Sequence, residues 1–220
     1  MSRRLIFADR VEAGRLLGER LAAMDLVDPL VLALPRGGVP VAAEIARRLE
    51  APLDVALVRK LGAPHEPELA VGAVADGPSP EVVVNVKLAR ALGLGEDFIS
   101  AEAAREFLII ERRRGEYARL RPAADVVNRT AIVVDDGVAT GMTMQAALRS
   151  VRRKQPAKLV ASAPVASREA AAMLRKEADE VVCLGSPRNF GSVGSFYRTF
   201  PQVSDEDVAA LLKELAAVQQ

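Results

Sequence analysis

Hydrophobic positions fall along this chain in two patterns. Leu30-Val31-Leu32-Ala33-Leu34, Leu53 to Val58, Ile132-Val133-Val134, Leu159 to Ala163 and Glu180 to Leu184 are short, nearly unbroken apolar runs. Such runs suit strands of a parallel sheet covered on both faces. Between them lie stretches with helical spacing: Val11, Leu16, Leu17 and Leu21 after Asp9, then Val39 to Leu49, a segment ending near Lys154, and Arg168 to Ala178. Gly14 and Gly18 weaken the first of these helices. Strand, glycine turn, helix and strand over residues 30–58 form a βαβ unit.

The rhythm breaks twice. Leu69 to Val74 and Glu81 to Val86 read as a hairpin across Asp76-Gly77-Pro78-Ser79-Pro80, and Glu96 to Leu120 as a long charged helix with Phe98, Ala101, Phe107 and Ile110 among its apolar positions. Residues 186–201 are irregular and rich in glycine and aromatics; Ser204, with Asp207 three residues on, caps a last helix. The pattern predicts an α/β fold, an open and mostly parallel sheet flanked by helices. An inserted flap spans about 62–121 and a small C-terminal hood about 186–203, within a single domain over 1–220.

Composition narrows the function classes. Thirty Lys and Arg against 29 Asp and Glu give no global attraction to nucleic acid or an anionic membrane. Trp is absent and aromatics make up 4%, which argues against a base-stacking nucleic-acid surface. The run Glu111-Arg112-Arg113-Arg114 reads as a solvated helix face. A single cysteine, Cys183, excludes a disulfide within the chain and reads as a core thiol. No apolar run reaches the ~18 residues of a membrane span, and the first residues lack the apolar segment of a signal peptide, so a cytoplasmic protein is expected.

The chemistry concentrates in Ala131-Ile132-Val133-Val134-Asp135-Asp136-Gly137-Val138-Ala139-Thr140-Gly141-Met142-Thr143. A buried strand delivers two carboxylates to its carboxyl end, where open α/β sheets bind ligands. A turn of small and hydroxyl residues then opens a helix whose positive end favours a phosphate. Pro35-Arg36-Gly37-Gly38 likewise follows a strand and opens a helix. Glycines there let the backbone approach a ligand, and Arg36 offers a fork of donors for phosphate oxygens.

The 131–143 segment resembles the phosphoribosyl diphosphate (PRPP) binding loop of type I phosphoribosyltransferases. The match covers the strand, both acids and the Ala-Thr-Gly-x-Thr turn, and the order of elements extends it over roughly Leu5 to Leu184. The resemblance implies a transferase that moves the phosphoribosyl group of PRPP to a nitrogenous acceptor, such as a nucleobase, and releases pyrophosphate. It implies that Asp135 and Asp136 act on the ribose, and that Gly137, Val138, Ala139, Thr140, Gly141 and Thr143 hold the 5′-phosphate. Arg36, Gly37, Gly38, Lys60 and, second to Lys60, Arg59 take the pyrophosphate, with Arg59 and Lys60 expected at a strand end. Mg²⁺ is the implied cofactor, held mainly by PRPP near the two acids rather than by a dedicated protein site, and a homodimer is an open expectation. His65, in the flap, is a candidate proton-handling or lid group. Phe190 and Tyr197, in the hood, are candidates for contacting the acceptor or for packing the hood. The flap departs from the family pattern, in which a mobile catalytic loop occupies this region. Two other readings stand beside the transferase: a regulator that senses PRPP or a nucleotide through the same loop, and a phosphatase using Asp135 as nucleophile.

Overall fold

The computed structural model describes residues 5–77, 80–119 and 123–218. Five strands form a parallel sheet: β1 (Pro29–Ala33), β2 (Leu53–Val55), β6 (Thr130–Val134), β7 (Lys158–Val165) and β8 (Glu180–Gly185). Their spatial order is β2-β1-β6-β7-β8, with every pairing parallel. The motif strand β6 is therefore central, and all five of its residues are buried. This is the α/β class that the apolar runs predict.

Helices cover both faces. Beneath one face lies a core that includes Leu17, Val31, Ile45, Ile132 and Leu212; beneath the other lies one with Leu30, Val133, Met144, Leu148 and Leu159. Alternate residues of β6 thus feed opposite cores, as a strand's two-residue period requires. Helix α1 (Arg10–Ala22) is capped by Asp9, which accepts the Glu12 amide. It packs on α2 (Gly38–Leu49) through Gly14, where a Cβ would lie 2.7 Å from the Val41 carbonyl oxygen. The glycine that weakens the helix alone brings the two helices together.

The flap differs in detail from its expectation. The strand predicted over Leu53 to Val58 ends at Val55, and the chain restarts as β3 (Val58–Ala63) in a second sheet with β4 (Glu66–Ala75) and β5 (Glu81–Val84), antiparallel in the order β3-β4-β5. The excursion from the parallel sheet so begins at Val58 rather than Gly62, and Arg59 and Lys60 lie inside a strand instead of at its end. The β4–β5 hairpin is present, and Pro78 and Ser79 of its turn lie outside the described residues. A short helix α3 (Val86–Ala91), capped by Asn85, stands where the pattern gave no element.

The charged helix is α4 (Glu96–Ala118); Leu120 lies outside the described residues. Its inner stripe is Ala103, Ile110 and Tyr117, which join the larger core, while Ala101 is exposed. Helices α5 (Met142–Arg153) and α6 (Arg168–Leu174) complete the alternation. The last helix, α7 (Asp205–Val218), starts as predicted: Ser204 Oγ accepts the Asp207 amide and an Asp207 carboxylate oxygen accepts the Ser204 amide. Cys183 is half-buried on the edge strand β8, and burial pushes its thiol pKa up. No helix among the described residues is long and apolar enough to cross a membrane.

Candidate active site

A cleft of about 860 Å³ opens at the carboxyl ends of β1 and β6. Its floor is Asp135 and Asp136. One wall is the 137–143 turn, another the 34–36 loop, and the flap contributes residues of β3 and β4 with Glu102 and Glu106 of α4. A smaller cavity of about 350 Å³ lies elsewhere, between β2, α4 and α5, and none of the motif residues lines it.

The 137–143 turn is built rather than loose. The Val138 amide donates to the Val165 carbonyl (2.9 Å), the Ser167 amide to the Val138 carbonyl (2.8 Å), and Ser167 Oγ to the Ala139 carbonyl (2.7 Å). These bonds fasten the turn to the junction of β7 and α6. Gly141 then takes φ +83°, a conformation open to glycine, and α5 begins at the next residue. The first amides of a helix have no intrahelical partner, so those at Met142 and Thr143 are available to an anion.

The acid pair is enclosed. Asp135 Oδ1 accepts the Asp136 amide at 2.8 Å. Burial raises the Asp135 pKa well above the usual carboxylate range, repulsion from Asp136 adds to it, and the Lys60 charge opposes it. Burial also raises Asp136, against the pull of Arg10, whose Nε lies 2.8 Å from Asp136 Oδ2. Gly37 presses on the same carboxylate: a Cβ there would collide with it. The Pro35–Arg36 peptide is cis.

Cations from three elements surround this floor. Lys60 is exposed and within electrostatic reach of Asp135. Among the described residues Arg36 has no carboxylate within ion-pair distance, and it lines both the cleft and an adjoining cavity on the hood side. Arg59, which alternates with Lys60 along β3, is turned to α4, its Nε 2.5 Å from Glu106. His65 stands exposed at φ +66° in the β3–β4 turn and does not line the cleft.

In the hood, the aromatics pack mainly on one another. Phe190 lies against Phe196 with centroids 5.1 Å apart, and Tyr197 lies between Phe7 (5.5 Å) and Phe200 (4.9 Å). Burial pushes the Tyr197 hydroxyl pKa up, so it stays protonated and donates to the Asp136 carbonyl at 2.5 Å. Of the two candidate hood contacts, neither lines the cleft, which the hood reaches through Val193. Arg10, Glu102 and Glu106 escape a reading by sequence. Arg10 leaves one trace there: an arginine in the first turn of a helix sits against the macrodipole, so something else must hold it.

Among the described residues no group of three or more His, Cys, Asp or Glu side chains could hold a metal ion alone. Two half-buried carboxylates, one of them without an ion-pair partner among the described residues, nevertheless fit a magnesium ion whose other oxygen ligands would come from a phosphate substrate.

A parallel sheet of five strands thus carries two acids at the end of its central strand and a glycine- and threonine-containing turn that opens the next helix. The profile of the phosphoribosyl transferase domain matches residues 10–198, and the chain belongs to that family. It is 42% identical over 207 residues to a Mycobacterium tuberculosis protein, known from two strains, that bears a provisional phosphoribosyl transferase name. That alignment takes in 94% of this chain but 46% of the relative, so the chain spans about half the length of the curated relatives it matches. The solved structure of TT1426 from Thermus thermophilus is 46% identical, with a TM-score of 0.80 over 96% of this chain and 99% of that one. A Neisseria gonorrhoeae protein solved with bound ppGpp shares the fold alone, at 12% identity and a TM-score of 0.50 over 98% of this chain and 99% of that one.

Proposed function

We propose that this chain transfers the phosphoribosyl group of PRPP to a nitrogenous acceptor, a nucleobase in the simplest case, and releases pyrophosphate. The observation that carries the reading is the floor of the cleft: a half-buried acid pair beside a turn fastened to the junction of β7 and α6. The 5′-phosphate sits on the amides and threonine hydroxyls of 137–143. The pyrophosphate lies toward Arg36, the Gly37 and Gly38 amides, and Lys60. As the bond from C1 to the pyrophosphate oxygen lengthens, the ribose gains positive charge, and the Asp135 carboxylate is preorganised to stabilise it. The acceptor nitrogen attacks C1 from the face opposite the departing pyrophosphate. Magnesium, bound with PRPP, would neutralise charge on the leaving group. Burial of the acids strengthens each of these interactions relative to water. In this reading the rate rests mainly on positioning and electrostatics.

The test is a screen for pyrophosphate release from PRPP and Mg²⁺ with each free base, beside calorimetry with PRPP alone. Binding is expected, weakened by joint Thr140→Ala and Thr143→Ala substitution. Asp135→Asn should lower turnover by roughly a hundredfold or more while changing PRPP affinity far less. Unchanged PRPP affinity in the double threonine variant would remove the phosphate assignment; equal losses of turnover and affinity in Asp135→Asn would mean the carboxylate merely binds.

A further inference from the structure

We propose that Arg10 is a positioning residue for the transfer: it fixes the Asp136 carboxylate, cancels its charge and ties it to the hood. The inference rests on reading the cleft as the PRPP site.

Arg10 is the first residue of α1 and is 8% exposed. Its guanidinium makes three contacts. Nε donates to Asp136 Oδ2 at 2.8 Å, Nη1 donates to the Pro201 carbonyl at 2.7 Å, and its central carbon lies 3.7 Å from the centroid of the Phe200 ring. Phe200 packs on Tyr197, whose hydroxyl returns to the Asp136 carbonyl. The circuit Asp136–Arg10–Phe200–Tyr197–Asp136 is closed, and Gly37 packs against the same carboxylate.

Stability alone gives little reason for such an arrangement. Burying a guanidinium and a carboxylate costs solvation that their attraction roughly offsets, and apolar residues of similar volume would serve packing as well. The charge balance supplies a reason. PRPP is strongly anionic, and two unpaired carboxylates at the floor would repel it. With Asp136 neutralised by Arg10, the floor presents one net negative charge, Asp135, opposed by Lys60. A lysine could keep the charge but not reach carboxylate, carbonyl and ring together, because an ammonium lacks the planar fork.

The experiment compares Arg10→Gln, Arg10→Lys and Arg10→Ala, by calorimetry with PRPP and Mg²⁺ and by pyrophosphate release with whichever acceptor the screen identifies. Arg10→Gln should weaken PRPP binding about tenfold or more, since a buried carboxylate is left unpaired. Arg10→Lys should recover most of that binding but not turnover, because the charge returns without the orientation. Added guanidinium, saturably, should restore PRPP binding to Arg10→Ala. A purely structural role predicts losses that track melting temperature in all three variants and no rescue. PRPP affinity within twofold of wild type in Arg10→Gln, or absence of guanidinium rescue, would overturn the proposal. Should Arg10→Gln fail to fold, Arg10→Lys and rescued Arg10→Ala decide it alone. Wild-type protein that binds PRPP but releases no pyrophosphate with any acceptor would sink the transfer reading instead, and the binding comparison would still judge Arg10.

Discussion

Asp135 carries a charge that burial opposes, and this sets a measurable link between pH and stability. Its pKa is raised in the fold, first by burial and then by Asp136. The folded state therefore binds the Asp135 proton more tightly than the unfolded chain. Its contribution to stability is full below the unfolded carboxylate pKa of about 3.9 and fades as pH rises through the higher folded value. At neutral pH the ionised group is a net cost that asparagine would not carry. In magnesium-free buffer, Asp135→Asn should raise Tm at pH 7.5 by roughly 2–6 °C, the equivalent of 1–2 kcal/mol. The advantage should vanish as pH falls toward 4. Scanning calorimetry across that range checks it; a constant offset, or a loss at pH 7.5, would show that the charge is compensated in the fold. In the proposed transfer, activity and stability then pull against each other at one residue.

At the scale of elements, α4 explains how an insertion serves a site. Its outer face is charged and solvated, while Ala103, Ile110 and Tyr117 enter the main core and Glu102 and Glu106 reach the cleft. Two acids at i and i+4 repel, which is tolerable because Arg105 and Arg59 answer them. Ile110, 1% exposed, is the anchor of the stripe. Ile110→Ala should cost about 2–5 kcal/mol if the flap folds as one body with the sheet. In a Tyr197→Phe background, where Tyr117 is the remaining tyrosine, urea unfolding followed by tyrosine fluorescence and by circular dichroism should shift together; two separated transitions would mark the flap as an independent unit. Much of this helix was legible in sequence, since its length and charge announce it. Its partners were not. That Arg59 turns to Glu106, 47 positions away, depends on β3 leaving the parallel sheet, and no local pattern encodes which sheet a short strand joins. The break at Ala56-Leu57 is likewise hidden, because a near-continuous apolar run looks the same whether one strand or two follow it.

For the whole molecule, the central strand and its acids were readable because a parallel sheet demands apolar runs, and ligand loops fall at their carboxyl ends. The contribution of Arg10 was not, because it joins opposite ends of the chain. The hood is bound to the segment before α1 by backbone: the Phe7 amide donates to the Phe196 carbonyl (2.8 Å), the Arg198 amide to the Phe7 carbonyl (2.9 Å) and the Thr199 amide to the Ala8 carbonyl (3.0 Å). Among the described residues no such backbone tie joins the flap to the rim of the cleft, where β4 and β5 meet Met142 through side chains. An oxocarbenium-like ribose must be shielded from water, so movement should come from the flap. On adding PRPP and Mg²⁺, amide exchange should slow over residues 58–75 and change little over 196–199, which are already protected. Slowing confined to the hood would reverse this assignment.

The same ties place the site in time as well as in space. Residues 7–10 leave the ribosome well before residues 196–201, yet the environment of Asp136 needs both. The sheet through β7 can form during synthesis, with the 137–143 turn already taking shape. The acid pair, however, stays unbalanced until residues 196–201 arrive to meet α1. A nascent chain is thereby able to fold around its core while the reaction centre remains incomplete, and competence is acquired in one late step rather than gradually.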